Sequence, residues 1–157
     1  MYESRFSPWC QWRFRNELDG IQFPGVYGIA IASSRISSRP FSWRKQIAYI
    51  GMTNAATGLK GRLKQFDNTV AGKSGHGGAD RVLYKYQNYK QLSRQLFVSI
   101  APFKCDPKRA SPSDLIEMGK VAQFEYMCLA EYVKEFDKLP EFNDKKLSLK
   151  FSRKADR

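Results

Sequence analysis

Read as a pattern of apolar and polar positions, the chain separates into a few short elements. Val26-Tyr27-Gly28-Ile29-Ala30-Ile31-Ala32 is a nearly continuous apolar run entered from Pro24-Gly25, which predicts a buried strand. Ser33 to Lys45 carries five Ser, three Arg, a Lys and Pro40, and reads as an exposed, basic connection. Gln46-Ile47-Ala48-Tyr49-Ile50-Gly51 reads as the hairpin partner of the first strand. From Gly58 to Val70 the apolar residues Leu59, Leu63, Phe66 and Val70 recur at helical spacing, with Lys60 and Lys64 off the stripe. Ala71 to Gly78 holds four glycines around the single histidine, a loop. Residues 79–90 suit a second short helix, and Gln95 to Ala101 a third strand. Pro102 to Ala110 is a basic loop. Ser111-Pro112-Ser113-Asp114 is a helix start, with Ser as cap, Pro at the first position and an acid in the first turn. That helix runs to about Lys138, before Leu139-Pro140. The order predicts an α+β layer: a short, three-stranded, mainly antiparallel sheet flanked by helices.

One residue breaks the pattern of the long helix. Its stripe is Leu115, Met118, Val121 or Ala122, Cys128 or Leu129, Tyr132 and Phe136. Stepping by three or four from Val121 lands on Glu125. A carboxylate on an apolar face is costly unless it is paired or holds a metal. Periodicity alone leaves three readings open: a metal ligand, a structural ion pair, or a stripe drawn one position off.

Composition narrows the class. With 157 residues, 42% of them apolar or aromatic, the chain has the size of one domain and enough apolar mass for a core. No stretch approaches ~20 consecutive apolar residues, so no membrane-spanning helix is expected. The charged start, Met1 to Asp19, does not resemble a secretory signal peptide. Three distant cysteines, Cys10, Cys105 and Cys128, fit neither a disulfide framework nor a zinc cluster. An intracellular setting, cytoplasmic or nucleoid-associated, is the expectation.

Charge says more. The formal net charge is +12, from 27 basic and 15 acidic residues. The stretch 58–90 alone has seven basic against two acidic groups, whereas 111–143 has three against seven. The excess lies mostly within the folded part, and solubility needs only about 2–8 charges, so a polyanion-binding face is expected. Taken singly, the other polar candidates are ordinary. His76 alone cannot build a multi-histidine metal site, Arg62 is one arginine of many, Tyr27 and Tyr49 suit strand packing, and Asn143 suits a turn.

Together, however, these residues resemble the GIY-YIG nuclease family. Gly25-Val26-Tyr27 matches its first tripeptide with Val for Ile, and Tyr49-Ile50-Gly51 matches the second unaltered, 22 residues on from Tyr27. Leu59-Lys60-Gly61-Arg62-Leu63 resembles the segment carrying the family's arginine, and Ser74-Gly75-His76 falls where many members place a histidine. Glu125 falls at the metal-binding glutamate and Asn143 at the asparagine that follows it. Some members carry a further histidine one helical turn after the arginine, and here that position is Phe66. The resemblance spans residues 25–143, leaving 1–24 as an N-terminal extension and 144–157 as a basic tail.

What the resemblance implies is hydrolysis of a DNA phosphodiester with Mg²⁺ or Mn²⁺. Glu125 would hold the cation, and Arg62 would grip the scissile phosphate with a fork that Lys cannot imitate. Tyr27 or Tyr49 would orient or deprotonate the attacking water, with His76 as the proton relay and Asn143 positioning water or the glutamate. Gly25 and Gly51 would be structural. Arg39, Arg44, Lys45, Lys60, Lys64, Lys73 and Arg81 are the expected DNA contacts, joined by the tail residues Lys145, Lys146, Lys150, Arg153, Lys154 and Arg157. A double-strand cut from one site requires sequential nicks or a homodimer. The alternative is a catalytically silent nucleic-acid-binding module on the same fold.

Overall fold

The computed structural model describes residues 2–73 and 75–146; the expectations for Ser74 and for Lys150, Arg153, Lys154 and Arg157 lie outside the described residues. A four-stranded antiparallel sheet is the centre of the fold. Its strands are β1 (Cys10–Gln11), β2 (Gly25–Ile31), β3 (Ile47–Thr53) and β4 (Leu96–Pro102), in the order β1-β4-β2-β3. Three of them are the runs that apolar content predicts. The fourth, β1, corrects the three-stranded expectation. Two residues cannot display a period, so β1 is visible only through its pairing of Cys10 with Val98 and Gln11 with Phe97.

Helices cover both faces. On one side lie α1 (Gly58–Val70), α2 (Gly77–Tyr86) and α3 (Tyr89–Gln95). They pack Leu59, Leu63, Phe66, Val70, Val82 and Leu92 against Tyr27, Ile29, Val98 and Ile100 of the sheet. The single helix expected over 79–90 is two, because Gln87 takes a left-handed conformation (φ 54°) and Asn88 caps a new start. On the other side α4 (Pro112–Phe136) packs Val121, Phe124, Cys128 and Tyr132 against Val26, Ala30, Ile50 and Phe97. Its start is the expected one, and Ser111 and Asp114 close a capping box. Its stripe is shifted, however. Leu115 is 54% exposed, Phe124 takes a core position, and Glu125 lies half-buried at the stripe's edge rather than within it.

Two further expectations change. The connection 33–45 is not simply exposed: Ile36 and Phe41 are buried, and Phe41 stacks on Phe6 with ring centroids 4.0 Å apart. The N-terminal segment likewise contributes Phe6, Trp9, Trp12 and Ile21 to the core. Apolar residues spaced singly among charges have no periodic signature, yet each aromatic buries a large area when another segment meets it. No helix among the described residues is long and apolar enough to cross a membrane.

Candidate active site

Tyr27 and Tyr49 face the α1–α3 side of adjacent strands. Tyr27 is directly opposite Gly51 in the β2–β3 register. That pairing explains the glycine, since a Cβ at Gly51 would lie 2.5 Å from the Tyr27 hydroxyl and 2.7 Å from the Tyr49 ring. Gly25 is held for a similar reason, its Cβ position being occupied by the Ala101 carbonyl. The two tyrosine rings sit with centroids 6.1 Å apart.

His76 completes this cluster from the loop after α1. Its ring lies 5.5 Å from that of Tyr49 and 5.0 Å from that of Phe66. Its backbone amide donates to the buried Thr69 hydroxyl at 3.1 Å, and its Nδ1 accepts from the Ala79 amide at 3.2 Å, so the residue caps α2. A backbone N–H can only donate, so Nδ1 carries a lone pair. The neutral imidazole must then hold its proton on Nε2. Nε2 is 2.6 Å from the Tyr27 hydroxyl oxygen. His76 therefore donates to Tyr27 rather than waiting to receive its proton, which reverses the expected relay. Burial, with Arg62 and Arg81 nearby, drives the His76 pKa down to about 3. The ring stays neutral throughout the physiological range.

Arg62 reaches the cluster from α1. Its Nη1 donates to Gln65 Oε1 at 2.9 Å, while its Nε is buried without a hydrogen-bond partner. Burial raises the pKa of Tyr27 well above its ordinary value, Tyr49 adds to the rise, and Arg62 opposes it. Tyr49 is raised by burial too, with Arg62 and Arg81 opposing. Glu125 approaches from α4, on the other side of the sheet. Desolvation raises its pKa and Arg62 again opposes the shift. The two tyrosines, Arg62, His76 and Glu125 thus meet around the β3 edge. Arg62 Nε, one of six such buried side-chain atoms, and the Glu125 carboxylate have no protein partner among the described residues.

Asn143 does not point at this chemistry. Its Oδ1 accepts from the Ile50 amide and its Nδ2 donates to the Ile50 carbonyl, both at 2.8 Å. The side chain acts as a one-residue strand on the open edge of β3, so it fixes the strand that carries Tyr49 instead of orienting water.

The expected DNA contacts divide. Lys60, Lys64 and Lys73 are exposed on and just beyond α1, the helix that carries Arg62. Arg39, Arg44 and Lys45 belong to the connection anchored on the opposite face, where Arg44 is half-buried and Arg39 and Lys45 are exposed. Arg81 is largely buried, 9% exposed, with Tyr49 and His76 within reach of its charge. Arginines the sequence did not single out, Arg13, Arg15, Arg35 and Arg94, line a groove of about 870 Å³ beside Ala32.

A divalent hard cation can be tested against these groups. Among the described residues no three His, Cys, Asp or Glu side chains gather as a ligand set. Glu125 by itself is a desolvated carboxylate without a partner among the described residues, and it feels the Arg62 charge. That suits Mg²⁺ or Mn²⁺ retaining most of its waters. Comparisons with family models, with curated proteins and with solved structures found no match.

Proposed function

We propose that this chain is a metal-dependent endonuclease of the GIY-YIG type, hydrolysing phosphodiester bonds in DNA. The observation that carries the reading is the meeting of Tyr27, Tyr49, Arg62, His76 and Glu125, residues up to 98 positions apart, at one edge of the sheet. Structural demands alone do not require an arginine with a buried, unbonded Nε and an unpaired carboxylate next to a buried phenol.

The roles follow from the geometry. Arg62 binds the scissile phosphate and stabilises the charge that grows on its oxygens. Tyr27 accepts a hydrogen bond from His76 Nε2, so its own hydroxyl proton is turned toward the reacting space. As a phenol it orients the attacking water. As a phenolate, with His76 and Arg62 both stabilising the anion, it removes the water's proton. The His76 that meets Phe66 in space stands in for the histidine other members carry on the helix. A divalent cation held by Glu125 and waters would supply charge neutralisation at the leaving 3′ oxygen. Lys60, Lys64, Lys73 and the four-arginine groove give the sequence-independent affinity for backbone that a charge of +12 favours.

The test is nicking of supercoiled plasmid in Mg²⁺ or Mn²⁺ against the same mixture with EDTA. Metal-dependent conversion to open circle supports the reading. Binding without nicking in every metal would leave a DNA-binding fold with no chemistry, and Glu125→Ala protein that cuts at the wild-type rate would remove the mechanism. Linear product appearing only after open circle would point to sequential single cuts rather than a paired dimer.

A further inference from the structure

Arg81 is a largely buried arginine without a counter-charge among the described residues. It is 9% exposed, and no hydrogen bond or ion pair joins it to any described residue, Asp80 of the same turn included. Leaving a charge buried and unpaired is destabilising, and such groups persist where something else completes them. Side chains on a helix slant toward its N-terminus. Accordingly, Arg81 Nη1 lies back over the first turn of α2, 3.8 Å from where a Cβ of Gly77 would stand.

That turn has donors to spare. Of the amides that begin α2, Ala79 is satisfied by His76 Nδ1 and Asp80 by the His76 carbonyl. Those of Gly77 and Gly78 have no partner among the described residues. A side chain at Gly78 would collide with Tyr49, its Cβ lying 2.6 Å from that ring, so the bare backbone comes right up to the tyrosine. The positive end of a helix, two amides and a guanidinium that have no bond among the described residues therefore converge beside Tyr49. Such a constellation binds a tetrahedral oxyanion.

We propose that the first turn of α2, completed by Arg81, is a second phosphate site, and that it takes a phosphodiester of the substrate strand adjacent to the one being cut. The second half of this rests on the nuclease reading; the first half does not. Holding two successive phosphates fixes the strand's direction across Tyr27 and Arg62, which one contact cannot do.

Two variants test it. Arg81→Gln removes the charge. Gly77→Pro removes one amide without altering charge, and proline suits the first position of a helix whose preceding residue is extended, as His76 is (φ −132°, ψ 112°). Amide spectra of the full chain titrated with inorganic phosphate should shift Gly77 and Gly78 in the wild type and lose that response in Arg81→Gln. In Gly77→Pro the Gly78 response should weaken. Binding of a short duplex in EDTA across a salt series should weaken about tenfold in Arg81→Gln, its salt slope falling by about 1. An unchanged response of Gly77 and Gly78 in Arg81→Gln, with an unchanged Gly78 response in Gly77→Pro, would overturn the site. A lost phosphate response with unchanged duplex affinity and slope would mean the site takes free phosphate and not the strand, overturning the second half. No nicking in any metal, with the phosphate and duplex results as expected, would sink the nuclease reading and leave the site standing.

Discussion

The starts of α2 and α4 are built from the same parts and finished differently. At α4, Asp114 is 2% exposed and accepts from the Asp106 and Ser111 amides, the Ser111 hydroxyl and the Arg109 guanidinium. These donors hold its pKa well below the usual carboxylate range. At α2 there is a guanidinium, Arg81, and a cap, His76, but the first-turn acid, Asp80, bonds to neither side chain. One helix start satisfies its charges from within the chain; the other leaves them for a visitor. The contrast separates residues that hold the fold from residues reserved for a ligand, and it makes the two groups fail differently on mutation.

The largest effects should fall on the open side. Arg62→Ala and Glu125→Ala should each lower the plasmid nicking rate by about 10³-fold or more, since each removes charge stabilisation specific to the transition state. Their melting temperatures should stay level or rise, because each mutation removes a poorly compensated charge. A parallel loss of stability and activity would show these residues to be structural and erase the distinction. Next comes Tyr27→Phe, with an expected loss of about 10²-fold. In the wild type the nicking rate should climb with pH up to at least pH 9, because burial keeps the Tyr27 phenol protonated at neutrality. No inflection should appear near the ordinary histidine pKa, because His76 is already neutral there. An acid-side limb centred near pH 6.5 would restore His76 as the proton acceptor.

On the closed side the order of damage reverses. Asp114→Ala deprives Arg109, Ser111 and the Asp106 amide of their common acceptor, and should lower the melting temperature by about 4 °C. Nicking per folded molecule should stay within about twofold of wild type, as capping lost at one remote helix start leaves transition-state contacts in place. Asn143→Ala should act in the same manner but more weakly, since the edge of β3 can exchange its two bonds for water.

How far the sequence announced all this depends on the kind of signal. The strands around Tyr27 and Tyr49, the α1 stripe and the Ser111-Pro112 start are local patterns with a period or a cap, and they appear in the structure within a residue or two. Strand β1 and the burial of Trp9 and Trp12 depend on partners about 90 and 55 residues away, Val98 and Asp67 among them, and no local pattern encodes those. The candidate site divides likewise. Tyr27, Tyr49, Arg62 and Glu125 were legible as a set. The direction of the His76–Tyr27 hydrogen bond was not, because it is decided by which ring nitrogen the Ala79 amide happens to occupy. Arg81 reads as one more surface cation until the fold places Tyr49 and His76 beside it. Asn143 was legible as a position, but its target, the backbone of Ile50, is a tertiary fact.

The smallest predicted effect is also the one that separates the two helix starts by pH alone. His76 has a folded pKa of about 3 against an ordinary 6.5. Above 6.5 both folded and unfolded chains carry it neutral, and it adds no pH dependence. As pH falls below 6.5 the unfolded chain takes up a proton that the folded chain refuses until about 3, so stability is lost through that window. The limiting slope for one proton is about 1.4 kcal/mol per pH unit. Asp114 behaves differently, since its carboxyl stays ionised in the fold. Its contribution persists down to the unfolded value of 3.8 and is lost only below it. Between pH 6 and 4.5 the acid-induced fall in melting temperature should therefore be shallower in His76→Asn, whose side chain can still cap Ala79. Asp114→Asn should leave the slope in that interval as it is in the wild type. Identical slopes for wild type and His76→Asn would mean the imidazole takes up its proton in the fold as readily as in the unfolded chain, and the Nδ1 lone pair that accepts from Ala79 would lose its basis.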